Sequence, residues 1–195
     1  MTELALFPLS QVVLPNGQMK LRVFEARYQR LVSESCAGQR DFAIALLNPY
    51  VTQQHPDRIF SVATQVRITD FSRLDDGLLG ITISGVQRVQ INRRWQEQDG
   101  LHVATVIALA PWESCEMQPE YQLLSQELQH VFADNPLLKE LYPTPAWQDP
   151  VWLAQRWIEI LSMQPPLKYQ LMAADNANPT LEALTHWLNS EQADC

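Results

Sequence analysis

The run Leu4-Ala5-Leu6-Phe7-Pro8-Leu9, continued through Val12-Val13-Leu14-Pro15-Asn16-Gly17 into Met19-Lys20-Leu21-Arg22-Val23-Phe24-Glu25-Ala26-Arg27-Tyr28, decides the fold. Residues 4–9 and 19–23 are short apolar runs of strand length. Pro15-Asn16-Gly17 between them supplies turn chemistry, a fixed φ at proline and a free one at glycine. From Phe24 the period changes: Phe24, Tyr28, Leu31 and Val32 share one face of a helix, and Gly38 is a fitting C-terminal stop. Phe7, Leu9, Leu14, Leu21, Val23, Phe24 and Tyr28 are residue types that fill cores. Glu25 and Arg27 lie off that face, as an exposed pair or as a clamp between helix and sheet.

Downstream, Phe42–Leu47 is a continuous apolar run ended by Asn48-Pro49, the pattern of a strand covered on both faces. Tyr50–Arg58 is polar and predicts a surface loop. Phe60, Val62, Thr64, Val66 and Ile68 alternate cleanly, Asp75-Asp76-Gly77 marks a hairpin turn within 71–84, and Leu79, Ile81 and Ile83 alternate on the return. Gly85 predicts a bulge or bend before Val89 and Ile91. After Gln98-Asp99-Gly100, residues 101–109 alternate again. About seven strands at hairpin spacing predict a closed or nearly closed barrel.

Pro111–Glu116 leaves the strand pattern, placing a boundary near residue 110. Beyond it lie a helix from Pro119 with Tyr121, Leu124, Leu128, Val131 and Phe132 on one face, and a proline-punctuated linker over 137–148. A helix capped by Asp149-Pro150 follows, with Leu153, Trp157, Ile160 and Leu161 as its stripe, then two more from Pro165-Pro166 and Asn178-Pro179.

Two stretches carry a family likeness. The opening reads Leu-Phe-Pro-Leu, a Leu-Pro turn and Val-Phe-Glu-x-Arg-Tyr; residues 70–89 read as an aspartate-glycine hairpin followed by Gly85-Val86-Gln87-Arg88-Val89. Together they resemble the Lon protease amino-terminal, or substrate-binding, domain. The likeness runs over nearly the whole chain and loosens after residue 110. It implies an α+β unit: a PUA-like β pseudo-barrel with one early helix over residues 1–110, and a helical lobe over 111–195 packed on it. In Lon proteases this domain precedes ATPase and peptidase modules and helps engage unfolded or tagged proteins. The chain ends at Cys195 with neither, so the resemblance implies a stand-alone domain without those activities.

Composition narrows the function classes. With 46% hydrophobic and 18% charged residues the chain is an ordinary globular one, and 6 Gly with no phosphate-loop pattern argue against nucleotide binding. The net charge of −8, from 14 Lys plus Arg against 22 Asp plus Glu, repels polyanions and disfavours nucleic acid. No apolar run reaches the roughly 18 residues of a membrane span and the first residues lack signal-peptide character, which predicts a cytosolic protein. Cys36, Cys115 and Cys195 are isolated and predict reduced thiols.

No catalytic pattern, metal-ligand spacing or cofactor motif is present, so no enzyme activity, metal or cofactor is expected. His55, His102, His130 and His186 are scattered singly. Cys115 has no base beside it in sequence; a pocket joining it to a histidine is what an enzyme would need. Trp95, Trp112 and Trp147 fall near turns or in the linker, where a large aromatic is either a plug over the core or an anchor for a partner. The expected partners are client polypeptides with exposed apolar segments, held on a concave surface where barrel meets helices, with a protease or chaperone downstream. The alternative is an RNA- or small-molecule-binding PUA-like module using Arg88, Arg93 and Arg94 beside Trp95.

Overall fold

The computed structural model describes the backbone of residues 2–193 and the side chains of residues 2–188. Cys195 lies outside the described residues. Six strands carry the first half: β1 (Thr2–Leu9), β2 (Gln18–Val23), β3 (Phe42–Leu47), β4 (Ile59–Arg73), β5 (Leu79–Gln96) and β6 (His102–Ala108), with helix α1 (Ala26–Cys36) between β2 and β3. The sheet runs β2-β5-β4-β3-β1-β6, and β6 pairs back onto β5, closing β5-β4-β3-β1-β6 into a five-stranded ring with β2 outside it. The β1–β3 pair is parallel and the other pairs are antiparallel.

The expected seven strands are six because the chain does not break where its alternation falters. Residues 59–73 and 79–96 each stay in one strand, and the irregularities are absorbed as register shifts at Gln65/Val66, Ile68/Asp70 and Ile91/Arg93. The first of these lies opposite Gly85-Val86, where the bend was expected. Below Gly85 β5 pairs with β2, and above it with β6. One long bent strand thus serves two partners on the same edge.

A cluster of small and branched residues from all five ring strands, among them Leu4, Leu6, Ala43, Ala45, Ala63, Val89, Ala104 and Val106, fills one face of the ring. The opposite face of β1 and β3 packs with β2 and α1 through Phe7, Val23, Tyr28, Leu31, Phe42 and Ile83. Helix α1 buries Tyr28, Leu31 and Val32 as its spacing predicted and stops at Gly38, whose φ is +68°. Phe24 departs from that stripe. It precedes the helix, because Ala26 is the first helical residue, and its ring is 64% exposed.

The second half holds α2 (Pro119–Asp134), α3 (Pro136–Leu141), α4 (Pro150–Ile160), α5 (Pro165–Ala173) and α6 (Asn178–Ala193). Proline stands in the first turn of α2–α5, where its missing N–H costs nothing. Asp149 caps α4 by accepting from the Val151 N–H at 2.9 Å. The stripe expected for α4 is too narrow. Trp152 through Ile158 are all buried, including Gln155 and a fully buried Arg156, so α4 is enclosed on every side.

Strand and helix halves share one apolar cluster, in which Val12, Leu14, Leu46 and Val62 pack with residues of α2, α4 and α6. Polar locks cross the same boundary. Arg156 on α4 pairs with Glu159 at 2.7 Å and donates to the Pro15 carbonyl, while Glu159 accepts from the Leu14 N–H at 2.5 Å and from the Tyr142 hydroxyl at 3.3 Å. Burial pushes the Glu159 carboxyl up to about 7, and Arg156 and the Leu14 N–H pull it back down.

Candidate functional site: a groove at the mouth of the ring

The direction of each strand puts the C-terminal ends of β1, β3 and β5 and the N-terminal ends of β4 and β6 at one end of the ring. A groove of about 440 Å³ opens there, with β2 and the start of α1 as its other wall. Its apolar lining comes from Phe7 and Leu9 of β1, Leu21 of β2, Leu47, Ile59 and the exposed Phe24, and Gln53, Gln96 and His102 add polar groups. Beneath them Phe7 and Tyr28 stack at 3.9 Å between ring centroids. Its rim is basic, with Lys20, Arg22, Arg27 and Arg58 against the single carboxylate of Glu25.

Most of these charges are held in place. Arg27 pairs with Glu25 at 2.6 Å with both side chains about a third exposed, so the pair is a partly solvated one on the groove wall. Lys20 pairs with Glu140 at 2.8 Å and Arg22 with Asp76. Arg58 donates to the carbonyls of Asn48 at 2.7 Å and Val51 at 3.2 Å, which fastens the 48–58 loop. Such exposed pairs contribute little to stability and exchange readily for a ligand's charge.

A polar pocket of about 560 Å³ continues the groove, sharing Gln53, Arg58, Gln96 and His102 with it and adding Arg94 and Trp95. His102 is half-buried and its Nδ1 has no hydrogen-bond partner among the described residues. Burial, then the charges of Arg94 and Arg27, push its pKa from 6.5 down to about 4. A depressed histidine pKa means that the unfolded chain takes up a proton the folded one refuses. His102 therefore contributes stability that is present above pH 6.5 and lost as the pH falls through about 4. An imidazole NMR titration should find the His102 midpoint near 4, and His102→Gln should flatten the acid limb of the stability profile; a midpoint at 6.5 would remove this reading.

The other residues singled out in the sequence scatter. Arg88 does not offer a nucleic-acid surface: it is 4% exposed, donates to the carbonyls of Met172, Ala174 and Ala110, and lies 4.9 Å over the Trp112 ring. Trp112 likewise offers no anchor. It is 6% exposed and its indole N–H donates to Ala174 O at 2.7 Å. The two tie β5 and the segment after β6 to the C-terminal end of α5, since a buried guanidinium needs acceptors and an aromatic face. Arg93 is exposed, and Arg94 donates to the Pro56 carbonyl, so the three arginines form no single face. Trp147 is half-buried, edge-on to Phe132 and Trp152, beside a separate depression of about 330 Å³.

At the junction of barrel and helices, where a concave apolar surface was expected, a depression of about 680 Å³ is lined by Phe60, Ser61 and Tyr169 and by none of the three tryptophans. Burial and Asp149 push the Cys115 thiol up, the opposite of what a nucleophile requires. Cys36 and Cys115 are free thiols. Among the described residues no group of three His, Cys, Asp or Glu is placed to hold a metal, and no helix is long and apolar enough to cross a membrane.

The family model of the ATP-dependent protease La (LON) substrate-binding domain matches residues 3–190. The chain belongs to this family. Two solved structures show how its fold recurs. The Lon N-terminal domain protein from Xanthomonas campestris is 29% identical, with a TM-score of 0.75 over 96% of this chain and 99% of that one. The N-terminal domain of Mycobacterium avium complex Lon protease is 16% identical, with a TM-score of 0.63 over 95% of this chain and 97% of that one, a likeness of fold alone. No curated protein matches the sequence.

The groove was missed in the sequence because its residues come from six separate segments. One signal was available: Phe24 belongs to the Val-Phe-Glu-x-Arg-Tyr motif but precedes a helix that has no need of it.

Proposed function

We propose that this Lon substrate-binding domain is a non-catalytic module that holds exposed apolar segments of unfolded client polypeptides in the groove at the ring mouth. It would act as an adaptor to a protease or chaperone in cytoplasmic protein quality control. The observation that carries the reading is the exposed Phe24 beside Leu21 and Leu9, an apolar strip ringed by cations on an acidic protein. An apolar floor supplies affinity without sequence specificity, which is what clients of many sequences need. Residues 1–110 and 111–195 would work as one unit, a union supported by the Arg88 and Glu159 contacts that join them.

The test is fluorescence anisotropy with a labelled, permanently unfolded polypeptide. Phe24→Ala should weaken binding by about tenfold, the order expected of an aromatic anchor. Its melting temperature should stay unchanged because the ring is mostly solvated. Absence of binding by the wild-type domain at high concentration, or a Phe24→Ala variant that binds as well, would overturn the proposal. Affinity that falls steeply with salt and is competed by RNA would favour the nucleic-acid alternative.

A further inference from the structure

The edge of β2 that faces away from β5 is open, and its register can be read from two contacts. The Gly17 carbonyl accepts from the Gly85 N–H at 2.9 Å, so residue 17 points toward β5. Gln18 points the other way: its N–H donates to the Tyr142 hydroxyl at 2.8 Å, and that hydroxyl lies 3.4 Å from the Gln18 carbonyl. In an extended strand the N–H and C=O of one residue share a side and alternate with period two. Met19, Leu21 and Val23 therefore make the ladder with β5, and Gln18, Lys20 and Arg22 present their backbone groups outward. Tyr142 covers the first of these. The backbone groups of Lys20 and Arg22 have no partner among the described residues, and both residues line the groove.

Resting on the client-binding reading above, we infer that clients bind here by strand addition: an extended polypeptide segment pairs with Lys20 and Arg22 along the open edge of β2. The pairing mode selects the occupant. The side chains of Lys20 and Arg22 stand on the exposed face of β2, so client residues across from them on that face are acidic. Alternate client residues fall on the face of Met19 and Leu21 and are apolar. A segment alternating apolar and acidic residues, too charged to be core and too apolar to be a loop, matches both faces. Main-chain pairing makes the mode tolerant of sequence, while the alternation sets its preference.

The probe is a blocked peptide of alternating leucine and glutamate, compared with two analogues N-methylated on alternate amides. N-methylation removes donors while leaving every side chain. The analogue methylated on the amides that face β2 should lose binding by at least about tenfold, while the other keeps it. Lys20→Pro provides the reciprocal change, since it deletes an N–H that β5 does not use and proline is tolerated on an edge strand. It should remain folded by circular dichroism and bind about tenfold more weakly. If Lys20→Pro does not fold, the N-methyl pair alone decides. If the unfolded polypeptide binds and Phe24→Ala weakens it, but both N-methyl analogues bind like the parent, strand addition falls while the client-binding reading stands. If the wild-type domain forms a concentration-dependent dimer that Lys20→Pro abolishes, the occupant is a second copy and the inference is overturned.

Discussion

Arg156→Ala should lower the unfolding free energy by about 3–5 kcal/mol, the cost of leaving one member of a buried ion pair alone. Arg156 is fully buried and Glu159 nearly so, and between them they hold the Leu14 N–H and the Pro15 carbonyl of the β1–β2 turn. Its guanidinium also lies 5.5 Å from the rings of Tyr142 and Trp152. Loss of the arginine strands the Glu159 carboxylate beside apolar side chains. The sign with pH follows. A carboxyl raised to about 7 when folded, against 4.5 when free, contributes stability that is fully present below pH 4.5 and lost as the pH rises through 7. Removing Arg156 raises it further, so the variant should lose most at neutral and alkaline pH, and Glu159→Gln should abolish that slope. Urea unfolding at several pH values measures both. The double variant Arg156→Met with Glu159→Leu should lose much less than Arg156→Ala, and a loss below about 1 kcal/mol in Arg156→Ala would refute the lock.

Gly85→Ala should be nearly as severe, at about 3 kcal/mol or more, through overpacking against backbone. A Cβ there would stand 2.0 Å from the Leu14 carbonyl oxygen and 2.7 Å from its carbon. Neither atom can withdraw, because the same turn is tied to Gly85 by the Asn16 N–H at 3.0 Å and through Gly17 O at 2.9 Å. Gly38→Ala is the control. Its φ of +68° brings a backbone penalty of about 1 kcal/mol, but nothing lies within 4 Å of the added methyl. Equal denaturation midpoints for the two variants would show that the close approach at Gly85 is not what requires glycine.

Local chemistry made much of this chain legible. Alternation places the strands, Asp75-Asp76-Gly77 and Gln98-Asp99-Gly100 place turns with Gly77 and Gly100 both at φ +82°, and prolines open α2, α4 and α5 where the sequence puts them, while α3 stands at the start of the stretch read as a linker. These features depend on neighbours a few residues away, and a linear pattern records them. The strand count erred because continuity across Gly85 depends on what pairs alongside: β4 carries β5 past the bulge without a break.

Linear pattern carries the α+β class, the ring of strands, the Asp149 cap of α4 and, through the Leu-Phe-Pro-Leu and Val-Phe-Glu-x-Arg-Tyr motifs, the family. Which polar and aromatic residues are buried, and where a site can lie, depends on the packing of distant segments. Arg88, Trp112 and Arg156 look like surface or anchor residues until partners from 62 to 141 residues away enclose them. Phe24 looks like core until α1 begins two residues later and leaves it in solvent. Burial is a property of what arrives from elsewhere in the chain, and so are the groove and the open edge of β2.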